Sequence, residues 1–419
     1  MKKIIIIGAG PAGMFAAINA KLADKRIDYP GNLEENEVIL IDKNSEIGKK
    51  LKISGSGQCN FTHTGDVGQF STHYGDKSKI ASRILRRFDN QKTIDFFSEI
   101  GVSSFEREDG KVFPNSLKSR DIINALKLKM EELSVHTILN QNINSIERKG
   151  DLFHLSSSDK NFICEKLIVA TGGNTYIKTG SDGSMYKILK DMGESVTELR
   201  TGLTPIFIKN FEFSDISGIS FENATMNFVN SRGKKKNAIG NLLFTHKGLS
   251  GPLILDNSRY LNAGDCIRLN FTGFENSSDM EECLIDKSAT CGNVSLKRIL
   301  SELGLPQRLV ERLMDICEVD KGLKMAQLGK KVRRKIVDSF TAYEFKIWKL
   351  GNVNESMITV GGIDLKSLNL STMESKRIPG LYYCGEVLDI DGDTGGYNIQ
   401  MAFSSGYIAG VSAGLNSGR

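Results

Sequence analysis

The chain has 419 residues, of which 40% are hydrophobic and 25% charged, a composition that is typical of folded globular proteins and excludes a fibrous or largely disordered chain. That length exceeds what one compact core usually holds, so two or three domains are expected. The net charge of +5 is compatible with an anionic cofactor or an RNA partner but is too small to establish either.

The first residues, MKKIIII, are expected to form a strand and not a signal peptide. Their apolar run ends at Ile7, and no small-residue cleavage site follows an apolar stretch of adequate length. No other segment approaches the roughly 18 apolar residues of a membrane span. The seven cysteines are odd in number and include no C-x-x-C pair, so we expect reduced thiols and no metal site. A cytoplasmic protein without a membrane partner is therefore expected.

A β-branched run followed by the glycine motif GAGPAG predicts a dinucleotide-binding unit at the N-terminus. Residues 4–7 are isoleucines, as in a parallel strand buried on both faces, and the motif leads into a predicted helix over 14–22. Gly8 permits the tight turn, Gly10 lets a pyrophosphate approach the backbone, and Gly13 allows close packing of helix on strand. The helix N-terminus supplies free N–H groups and positive dipole charge.

The second predicted strand, over 38–41, ends at Asp42, whose carboxylate is suited to accept hydrogen bonds from a ribose. Asp42 lies 29 residues beyond Gly13, and a polar loop over 24–37 explains why this spacing exceeds the usual value of roughly 20. A surface acid is the alternative interpretation of Asp42.

A second loop, over 48–60, combines flexible backbone at 54–57 with three lysines. Its place directly after the ribose-binding strand favours a cofactor loop over a flexible basic linker. Further along, the apolar spacing predicts helices over 79–101 and 119–133, the latter capped by Ser119. Strands are predicted over 135–139, 143–148, 151–157 and 166–170, and the last of them ends in the sequence ATGG.

Residues 196–349 contain no second GxGxxG motif and are predicted to form an inserted domain that covers the cofactor and shapes the substrate pocket. Its expected elements are first short strands and then helices: strands over 203–208, 224–229, 239–245 and 266–271, and helices over 278–288, 295–303, 306–317 and 323–338.

Three features of this insert are candidates for function. His246, in the sequence FTHKGLSGP, is a candidate proton donor, and its alternative role is to brace the turn before a helix over 251–261. The basic runs RGKKK, over 232–236, and KKVRRK, over 330–335, are a possible RNA footprint, although such runs are more often solvated faces.

The C-terminal part repeats the cofactor pattern. A strand over 379–386 ends at Glu386, well placed for a ribityl chain, and a helix is predicted over 399–415. The N-terminus of that helix suits the pyrimidine edge of a flavin, where negative charge develops on reduction. Tyr397 is a candidate acid there or a packed aromatic side chain. The alternating acids of 389–393 start like a calcium loop, but their glycines do not match one and no terminal glutamate follows.

The chain resembles the HI0933-like flavoproteins, a grouping that includes bile-acid dienone reductases and a ribosomal RNA dihydrouridine synthase. The resemblance rests on GAGPAG (8–13), KKLKISGSGQCNFT (49–62), LIVATGGNTYIKTGSDG (167–183), LLFTHKGLSGP (242–252) and PGLYYCGEVLDIDGDTGGYNIQMAFSSGYIAG (379–410). It implies an α/β fold: a Rossmann-like FAD-binding domain made from residues 1–195 and 350–419, with the β-rich and then helical domain, 196–349, inserted between them.

Carried over position by position, the resemblance implies an extended set of FAD contacts. The predicted cofactor-binding residues are Gly8, Gly10, Pro11, Ala12, Gly13, Asp42, Lys43, Lys50, Ser54, Gly55, Gly57, Cys59, Asn60, Ala170, Thr171, Gly172, Gly385, Glu386, Asp389, Gly396, Asn398 and Gln400. Two positions depart from the family pattern. Gln58 stands where relatives usually have arginine, which puts an anion-binding role there in doubt, and Ile177 stands where they often have proline.

The family's chemistry points to a substrate with a C=C bond conjugated to a carbonyl, because hydride from reduced flavin adds to the β-carbon of such a system. We therefore predict an FAD-dependent oxidoreductase, a reductase of an enone-type small molecule or of uracil in ribosomal RNA, with catalytic candidates His246 and Tyr397. NADH or NADPH would bind transiently in the same cleft. Two alternatives stay open: an FAD amine oxidase that releases hydrogen peroxide, and an RNA-binding protein whose FAD is structural or sensory.

Overall fold

The computed structural model describes residues 2–25 and 36–415, and these form two compact units. Unit 1 takes in both ends of the chain, up to residue 200 and from residue 357, and unit 2 spans residues 201–356. These boundaries lie a few residues beyond the expected ones at 195/196 and 349/350. Most of the polar loop expected over 24–37 lies outside the described residues.

The N-terminal part of unit 1 alternates strands and helices. Its strands are β1 (Lys3–Ile7), β2 (Glu37–Ile41), β3 (Thr62–His63), β4 (Ser104–Glu106), β5 (Lys111–Pro114), β6 (His136–Ile138), β7 (Ser145–Lys149), β8 (Leu152–Ser156), β9 (Asn161–Cys164) and β10 (Lys166–Val169). Its helices are α1 (Pro11–Lys25), α2 (Lys49–Lys52), α3 (Val67–Thr72), α4 (Ser78–Leu85), α5 (Asn90–Glu99), α6 (Ser119–Glu132) and α7 (Ser184–Asp191).

Unit 2 and the last part of unit 1 complete the chain. Strand β11 (Arg200–Gly202) begins at the last residue of the N-terminal part of unit 1 and ends in unit 2. Unit 2 contains β12 (Ile206–Ile208), β13 (Ser220–Val229), β14 (Lys235–Phe244), β15 (Gly248–Ser250), β16 (Cys266–Asn270), β17 (Tyr343–Leu350), α8 (Pro252–Asn257), α9 (Ser277–Thr290), α10 (Leu296–Ser301), α11 (Gln307–Ile316) and α12 (Lys330–Thr341). Unit 1 then adds β18 (Ile358–Val360), β19 (Leu368–Asn369), β20 (Glu374–Ser375), β21 (Leu381–Tyr383) and α13 (Tyr397–Gly414).

A seven-stranded sheet, in the order β19-β20-β21-β10-β1-β2-β6, is the centre of unit 1. The strands from β21 to β6 run parallel, and β19 and β20 add an antiparallel edge. Ile4, Ile5 and Ile6 on β1 are fully buried, as expected of a strand covered on both faces. The sheet therefore joins strands from both ends of the chain, which is the Rossmann-type α/β fold that the sequence predicts.

Helices α1 and α13 pack at very short range through small residues. A Cβ atom added at Gly406, Gly410 or Gly414 would lie only 2.3–2.5 Å from the carbonyl oxygens of α1. Those oxygens belong to alanines with the same four-residue spacing, Ala12, Ala16 and Ala20. Because an alanine methyl group cannot approach a carbonyl oxygen so closely, only glycine fits at the three α13 positions.

Two details of unit 1 differ from the sequence-based expectations. Ser119 does not cap α6: Lys118 precedes the helix without a side-chain cap, and the Ser119 hydroxyl donates a hydrogen bond to the Lys52 carbonyl oxygen at 2.7 Å. The strand expected over 379–386 is shorter, Leu381–Tyr383, and Glu386 lies in a short 3-10 helix after it.

Unit 2 contains a closed antiparallel barrel of six strands, in the order β12-β15-β14-β13-β16-β17. Its interior is aromatic: the Phe213 ring lies 5.2 Å from Phe244 and 5.5 Å from Phe345, centroid to centroid. Strand β17, which closes the barrel, was not predicted, although Phe345 and Ile347 alternate with exposed neighbours. The helix expected over 323–338 is confined to α12, beginning at Lys330.

Across the described part of the chain, we find no helix whose length and apolar character would let it cross a membrane.

Replacing Gly410 with alanine tests the α1–α13 contact. Alanine normally stabilises a helix interior by up to about 1 kcal/mol relative to glycine. Here the added methyl carbon would lie 2.3 Å from the Ala16 carbonyl oxygen, so we expect G410A to lower the free energy of unfolding by about 1–3 kcal/mol. Urea unfolding followed by circular dichroism measures the change. Ser412→Ala, at a half-buried position of the same helix, is the matched control. Equal or greater stability of G410A would contradict the proposed close packing.

Candidate functional site

Four predicted cofactor segments follow strands of the parallel sheet directly. Gly8 follows β1, Asp42 follows β2, Ala170 follows β10, and Gly385 comes two residues after β21. These strands run parallel and are neighbours in the sheet, so their carboxyl ends meet at one edge. In open α/β sheets, ligands bind outside this edge. The tertiary structure thus brings together segments that are distant in sequence.

The three glycines of the first turn have different surroundings. Gly8 has a φ of 106°, and a Cβ there would lie 2.4 Å from the Ala170 carbonyl oxygen. A Cβ at Gly13 would lie 1.8 Å from the Gly8 carbonyl oxygen. Both glycines are therefore required by the packing of the protein itself. A Cβ at Gly10, by contrast, would meet nothing within 4 Å, which leaves open the approach to the N-terminus of α1.

Asp42 is held rigidly at the end of β2. Its carboxylate accepts hydrogen bonds from the Ala9 N–H at 2.6 Å and from the Asn44 N–H at 2.7 Å. It therefore braces the glycine turn, and its contact with a ribose stays a prediction. The neighbouring Lys43 forms an ion pair with Asp182 at 2.7 Å. Burial raises the pKa of Asp182, but its hydrogen bonds with Lys43 and with Ser184 outweigh that effect and hold the pKa below its usual value.

The loop over 54–60 is wound in the left-handed backbone conformation. Gly55, Ser56, Gly57 and Cys59 have φ values of 54°, 55°, 87° and 61°. Two of these residues are not glycine, and each costs of order 1 kcal/mol in this conformation, a strain that clusters at functional sites. Cys59 is fully buried, and burial raises its pKa to about 12. Its side chain is therefore an uncharged thiol at neutral pH and not a nucleophile.

Two of the predicted cofactor residues carry buried polar atoms without a hydrogen-bond partner in residues 2–25 and 36–415. These atoms are Asn60 Oδ1, after the left-handed loop, and Thr171 Oγ1, after β10. An unsatisfied buried polar group costs about 1–3 kcal/mol, so such groups usually have a partner. A polar ligand at this edge of the sheet would supply one. Together with the open side of Gly10, these atoms show that the residues present fit a dinucleotide such as FAD.

Glu386 is the centre of a polar cluster that joins both ends of the chain. Its carboxylate forms an ion pair with Lys50 Nζ at 2.7 Å and accepts hydrogen bonds from the Thr359 N–H at 2.9 Å and the Thr175 hydroxyl at 3.2 Å. Lys50 also donates to Thr175 at 2.8 Å. The sequence predicted Lys50 and Glu386 but not the two threonines, although Thr175 lies within the segment 167–183 that carries the family resemblance. Thr359 lies outside all the segments that carry the resemblance, and nothing in the sequence marks it.

The turn before α13 is fixed by glycines and by an asparagine. Gly395 and Gly396 have φ values of 116° and 95°, and a Cβ at Gly396 would lie 2.7 Å from the Thr62 carbonyl oxygen. The Asn398 side chain accepts a hydrogen bond from the Gly392 N–H at 2.8 Å and donates one to the Gly392 carbonyl oxygen at 2.9 Å. Asn398 therefore holds this turn closed.

Gln400 is fully buried in α13. Its carbonyl oxygen accepts a hydrogen bond from the Thr62 hydroxyl at 2.6 Å, and its amide nitrogen donates to Ser404 at 3.1 Å. Both ends of the amide thus brace the protein. A cofactor contact of Gln400 or of Asn398 stays a prediction.

The acids of 389–393 do not converge on one point. Asp389 forms an ion pair with Lys77, and Asp393 pairs with His73 Nδ1 at 3.0 Å. No group of three or more His, Cys, Asp or Glu side chains able to hold a metal occurs in the part of the chain that the structure describes. The separate partners favour a structural role for the two acids in this turn.

The two catalytic candidates lie in different units. The Tyr397 ring is only 3% exposed and stacks on His73, at 4.0 Å centroid to centroid, while the His63 ring centroid lies 5.1 Å away. This is the packed arrangement that was its alternative interpretation. His246 is exposed in the turn between β14 and β15 of unit 2. A catalytic role for either side chain stays a prediction.

The structure places a cation beside Gln58. The Arg107 guanidinium donates a hydrogen bond to Gln58 Oε1 at 2.9 Å and lies 3.9 Å from the Phe113 ring centroid. The absence of arginine at position 58 therefore does not remove the positive charge from this region. The other departure, Ile177, is 42% exposed at the start of a short 3-10 helix.

Comparisons with known proteins identify relatives over nearly the whole length. A family model described as "HI0933-like protein Rossmann domain" matches residues 2–412. The chain is 31% identical over 407 residues to the ribosomal RNA dihydrouridine synthase of Escherichia coli, covering 96% of each chain. It is 24% identical to the 3-dehydro-bile acid delta(4,6)-reductase of Clostridium scindens, covering 99% of each.

A solved structure with a similar fold is the 3-ketosteroid-delta4-(5alpha)-dehydrogenase of Rhodococcus jostii. It has a TM-score of 0.52 and 13% identity, with 99% of this chain and 97% of that chain covered. At this identity the likeness shows the fold alone.

Replacing Gly10 with alanine separates ligand binding from folding. Because a Cβ at Gly10 meets no protein atom within 4 Å, we expect G10A to fold with unchanged stability. If the pyrophosphate approaches this backbone, the methyl group will weaken FAD binding by about tenfold or more, since one lost close contact is worth at least about 1.4 kcal/mol. Flavin retained after dialysis and the melting temperature of the apoprotein measure the two effects. Unchanged flavin retention would contradict the predicted approach.

Replacing Glu386 with glutamine tests the polar cluster. The ion pair with Lys50 is lost while the shape is kept, so we expect weaker flavin retention and a loss of stability of about 1 kcal/mol or less, because both groups are partly exposed. Glu46→Gln is the matched control, since Glu46 pairs with Lys52 of the same helix α2 at a more exposed position. Equal flavin retention in E386Q and E46Q would show that the cluster does not support the cofactor.

Proposed function

Because the chain belongs to the HI0933-like proteins, a family of Rossmann-fold FAD-dependent oxidoreductases, we propose that it is a reductase of a C=C bond conjugated to a carbonyl, supplied with electrons by NADH or NADPH. The observation that carries the proposal is the edge of the parallel sheet, where the open glycine turn follows β1 and the partnerless hydroxyl of Thr171 follows its neighbour β10. The buried amide oxygen of Asn60, in the left-handed loop, is a second polar atom without a partner among the described residues. Such an edge is suited to hold a redox dinucleotide.

The relatives favour uracil in ribosomal RNA as the substrate. The dihydrouridine synthase is 31% identical to this chain, whereas the bile-acid reductase is 24% identical, over similar coverage. The two names describe one type of reaction, because an enone and a uracil ring both carry a C=C bond conjugated to a carbonyl. We take uracil as the lead substrate and an enone-type small molecule as the competing one.

FAD, when bound, supplies the hydride. The residues of the chain would bind and orient it: the N–H groups at the start of α1 would hold the pyrophosphate, and the dipole of α13 would favour negative charge near its N-terminus. Lys50 and Glu386 form an ion pair, and both also hydrogen-bond to the Thr175 hydroxyl. His246 is the proposed proton donor to the substrate, since its imidazole is exposed, whereas the Tyr397 ring is buried and stacks on His73.

The first experiment is anaerobic reduction of the purified flavoprotein by NADH or NADPH, followed through the visible absorbance of the flavin. We expect rapid bleaching, and then recovery of the colour when an unmodified ribosomal RNA fragment is added. Nucleosides from that fragment should gain two hydrogens at uridine, as measured by mass spectrometry.

Other outcomes identify the alternatives. Recovery of the colour with an enone but not with RNA would replace the lead substrate by a small molecule. Bleaching by a small amine, with no reaction of either nicotinamide, would overturn the reductase and favour an amine oxidase. RNA binding without any flavin reduction would favour a structural or sensory cofactor.

A further inference from the structure

A groove of about 550 Å³ lies on unit 2, where one end of β12 meets its two neighbouring strands. Three segments of the barrel build it. Phe207 and Lys209 come from β12 and its continuation, His246 and Lys247 from the β14–β15 turn, and Trp348 and Lys349 from β17. Every lining residue belongs to unit 2, so the groove is complete within that unit.

A β-bulge in β17 determines what the groove displays. Phe207 pairs with Lys349 and Ile208 pairs with Ile347, so Trp348 is an extra residue without a partner on β12. Bulges re-aim side chains and often occur beside binding sites. As a result, the consecutive residues Trp348 and Lys349 are both exposed, which a regular strand with alternating faces does not allow.

The aromatic surface of the groove is open to solvent, and a lysine ammonium group lies over its rings. Trp348 is the only tryptophan of the chain and is 56% exposed. The Lys349 ammonium lies 4.9 Å from the Trp348 ring centroid and 5.2 Å from that of Phe207. Leaving so large an apolar ring in water is unfavourable, and aromatic side chains exposed in this way are typical of binding surfaces.

The groove is positively charged overall, with three lysines against one acid. No ion pair with a carboxylate involves Lys209, Lys247 or Lys349 within residues 2–25 and 36–415. The one acid of the groove, Glu355, accepts a hydrogen bond from the Asn352 N–H at 2.9 Å. Unit 2 as a whole carries 22 Lys and Arg against 18 Asp and Glu, which is most of the net positive charge of the chain.

The two basic runs of the sequence are less available than this groove. In KKVRRK, Arg333 and Arg334 both pair with Glu281, and Lys335 pairs with Glu318. In RGKKK, Lys234 and Lys236 lie over the Tyr260 ring, at 3.9 Å and 4.4 Å from its centroid. The groove differs from both runs in having a largely exposed ring beside its lysines, because the Tyr260 ring near RGKKK is only half-exposed and three side chains of KKVRRK are paired with acids.

We propose that this groove binds single-stranded RNA, with one base stacked on Trp348 and the flanking phosphates held by Lys247, Lys209 and Lys349. An exposed aromatic ring beside lysines is the arrangement with which proteins bind single strands, because every base has a stacking face and every linkage carries a negative charge. The inference rests on the proposed function, in that an RNA substrate gives the groove its ligand. It assigns the RNA contact to a surface of unit 2 that includes His246, the proposed proton donor, and none of the predicted cofactor-binding residues.

The single tryptophan makes the test direct. The FAD-loaded protein is titrated with a single-stranded oligouridylate of about ten nucleotides, a length within the site sizes of such proteins. We expect Trp348 fluorescence to fall in a saturable manner. Fluorescence anisotropy of the labelled oligonucleotide should show a dissociation constant about tenfold higher for Trp348→Ala, the lower range of one lost stacking contact, and near wild type for Trp348→Phe.

The lysines are tested through salt dependence. Lys247→Ala and Lys349→Ala should each weaken RNA binding and lower the slope of log affinity against log salt by about 0.7, the value for one phosphate contact with a single strand. The matched control is the double variant K330A/K331A, whose two lysines are exposed in the other basic run. We expect it to stay within about twofold of wild type, since neither lysine lines the groove and exposed charges outside a contact are screened by salt.

Several results would overturn the proposal. RNA binding by Trp348→Ala with wild-type affinity, or a loss confined to K330A/K331A, would place the RNA elsewhere. Quenching of Trp348 by NADPH that competes with the oligonucleotide would identify a dinucleotide site instead. Flavin reduction by NADPH is measured on each variant, and it should not change. If NADPH does not reduce the flavin of the wild type while RNA still quenches Trp348, the proposed reductase function is wrong, but the proposed binding of RNA in the groove is supported.

Discussion

The contact between α1 and α13 is the constraint on which unit 1 depends. Three glycines of α13 lie against three alanine carbonyls of α1, closer than any side chain allows. Because these helices come from opposite ends of the chain, the contact fixes the first cofactor segment and the last one relative to each other. Asn36 extends the same junction, since its side chain donates a hydrogen bond to the Gly414 carbonyl oxygen at 2.8 Å. A site built from segments near both ends of the chain requires such a rigid contact between the two helices.

The polar side chains of the candidate site fall into two groups. In one group the protein supplies the hydrogen-bond partners, and in the other it supplies none among the described residues. Asp42, Glu386 and Gln400 are engaged by protein donors and position the loops around them. Asn60 Oδ1 and Thr171 Oγ1 are buried without partners among the described residues. The hydrogen bonds of the first three side chains make the site rigid without a ligand. The two partnerless atoms are available to hydrogen-bond to a ligand. Strain in the left-handed loop at Ser56 and Cys59 belongs to the same arrangement, because backbone strain is retained where function requires it.

In unit 2, a bulge in β17 places two exposed residues, Trp348 and Lys349, next to each other on a regular barrel. Its barrel is closed and aromatic inside, so its strands alternate buried and exposed residues. The bulge after Ile347 interrupts this alternation, so Lys349 is exposed beside Trp348, whose hydrophobic ring already lies on the solvent side. The surrounding lysines keep the surface hydrated and positively charged. Such a feature has a cost in exposed apolar area, which is why we interpret it as functional.

The sequence by itself determined the features that depend on neighbouring residues. The isoleucine run of β1, the glycine turn after it and the acid that ends β2 predicted a Rossmann-type unit, because each of these signals is local. The sequence also predicted that the C-terminal segment returns to the same unit, and the sheet confirms this through the pairing of β10 with β21. Only the tertiary structure decided the rest. The threonines that hold Glu386, the cation beside Gln58 and the exposed ring of Trp348 all arise from pairs of segments distant in sequence, and no local pattern encodes such distances.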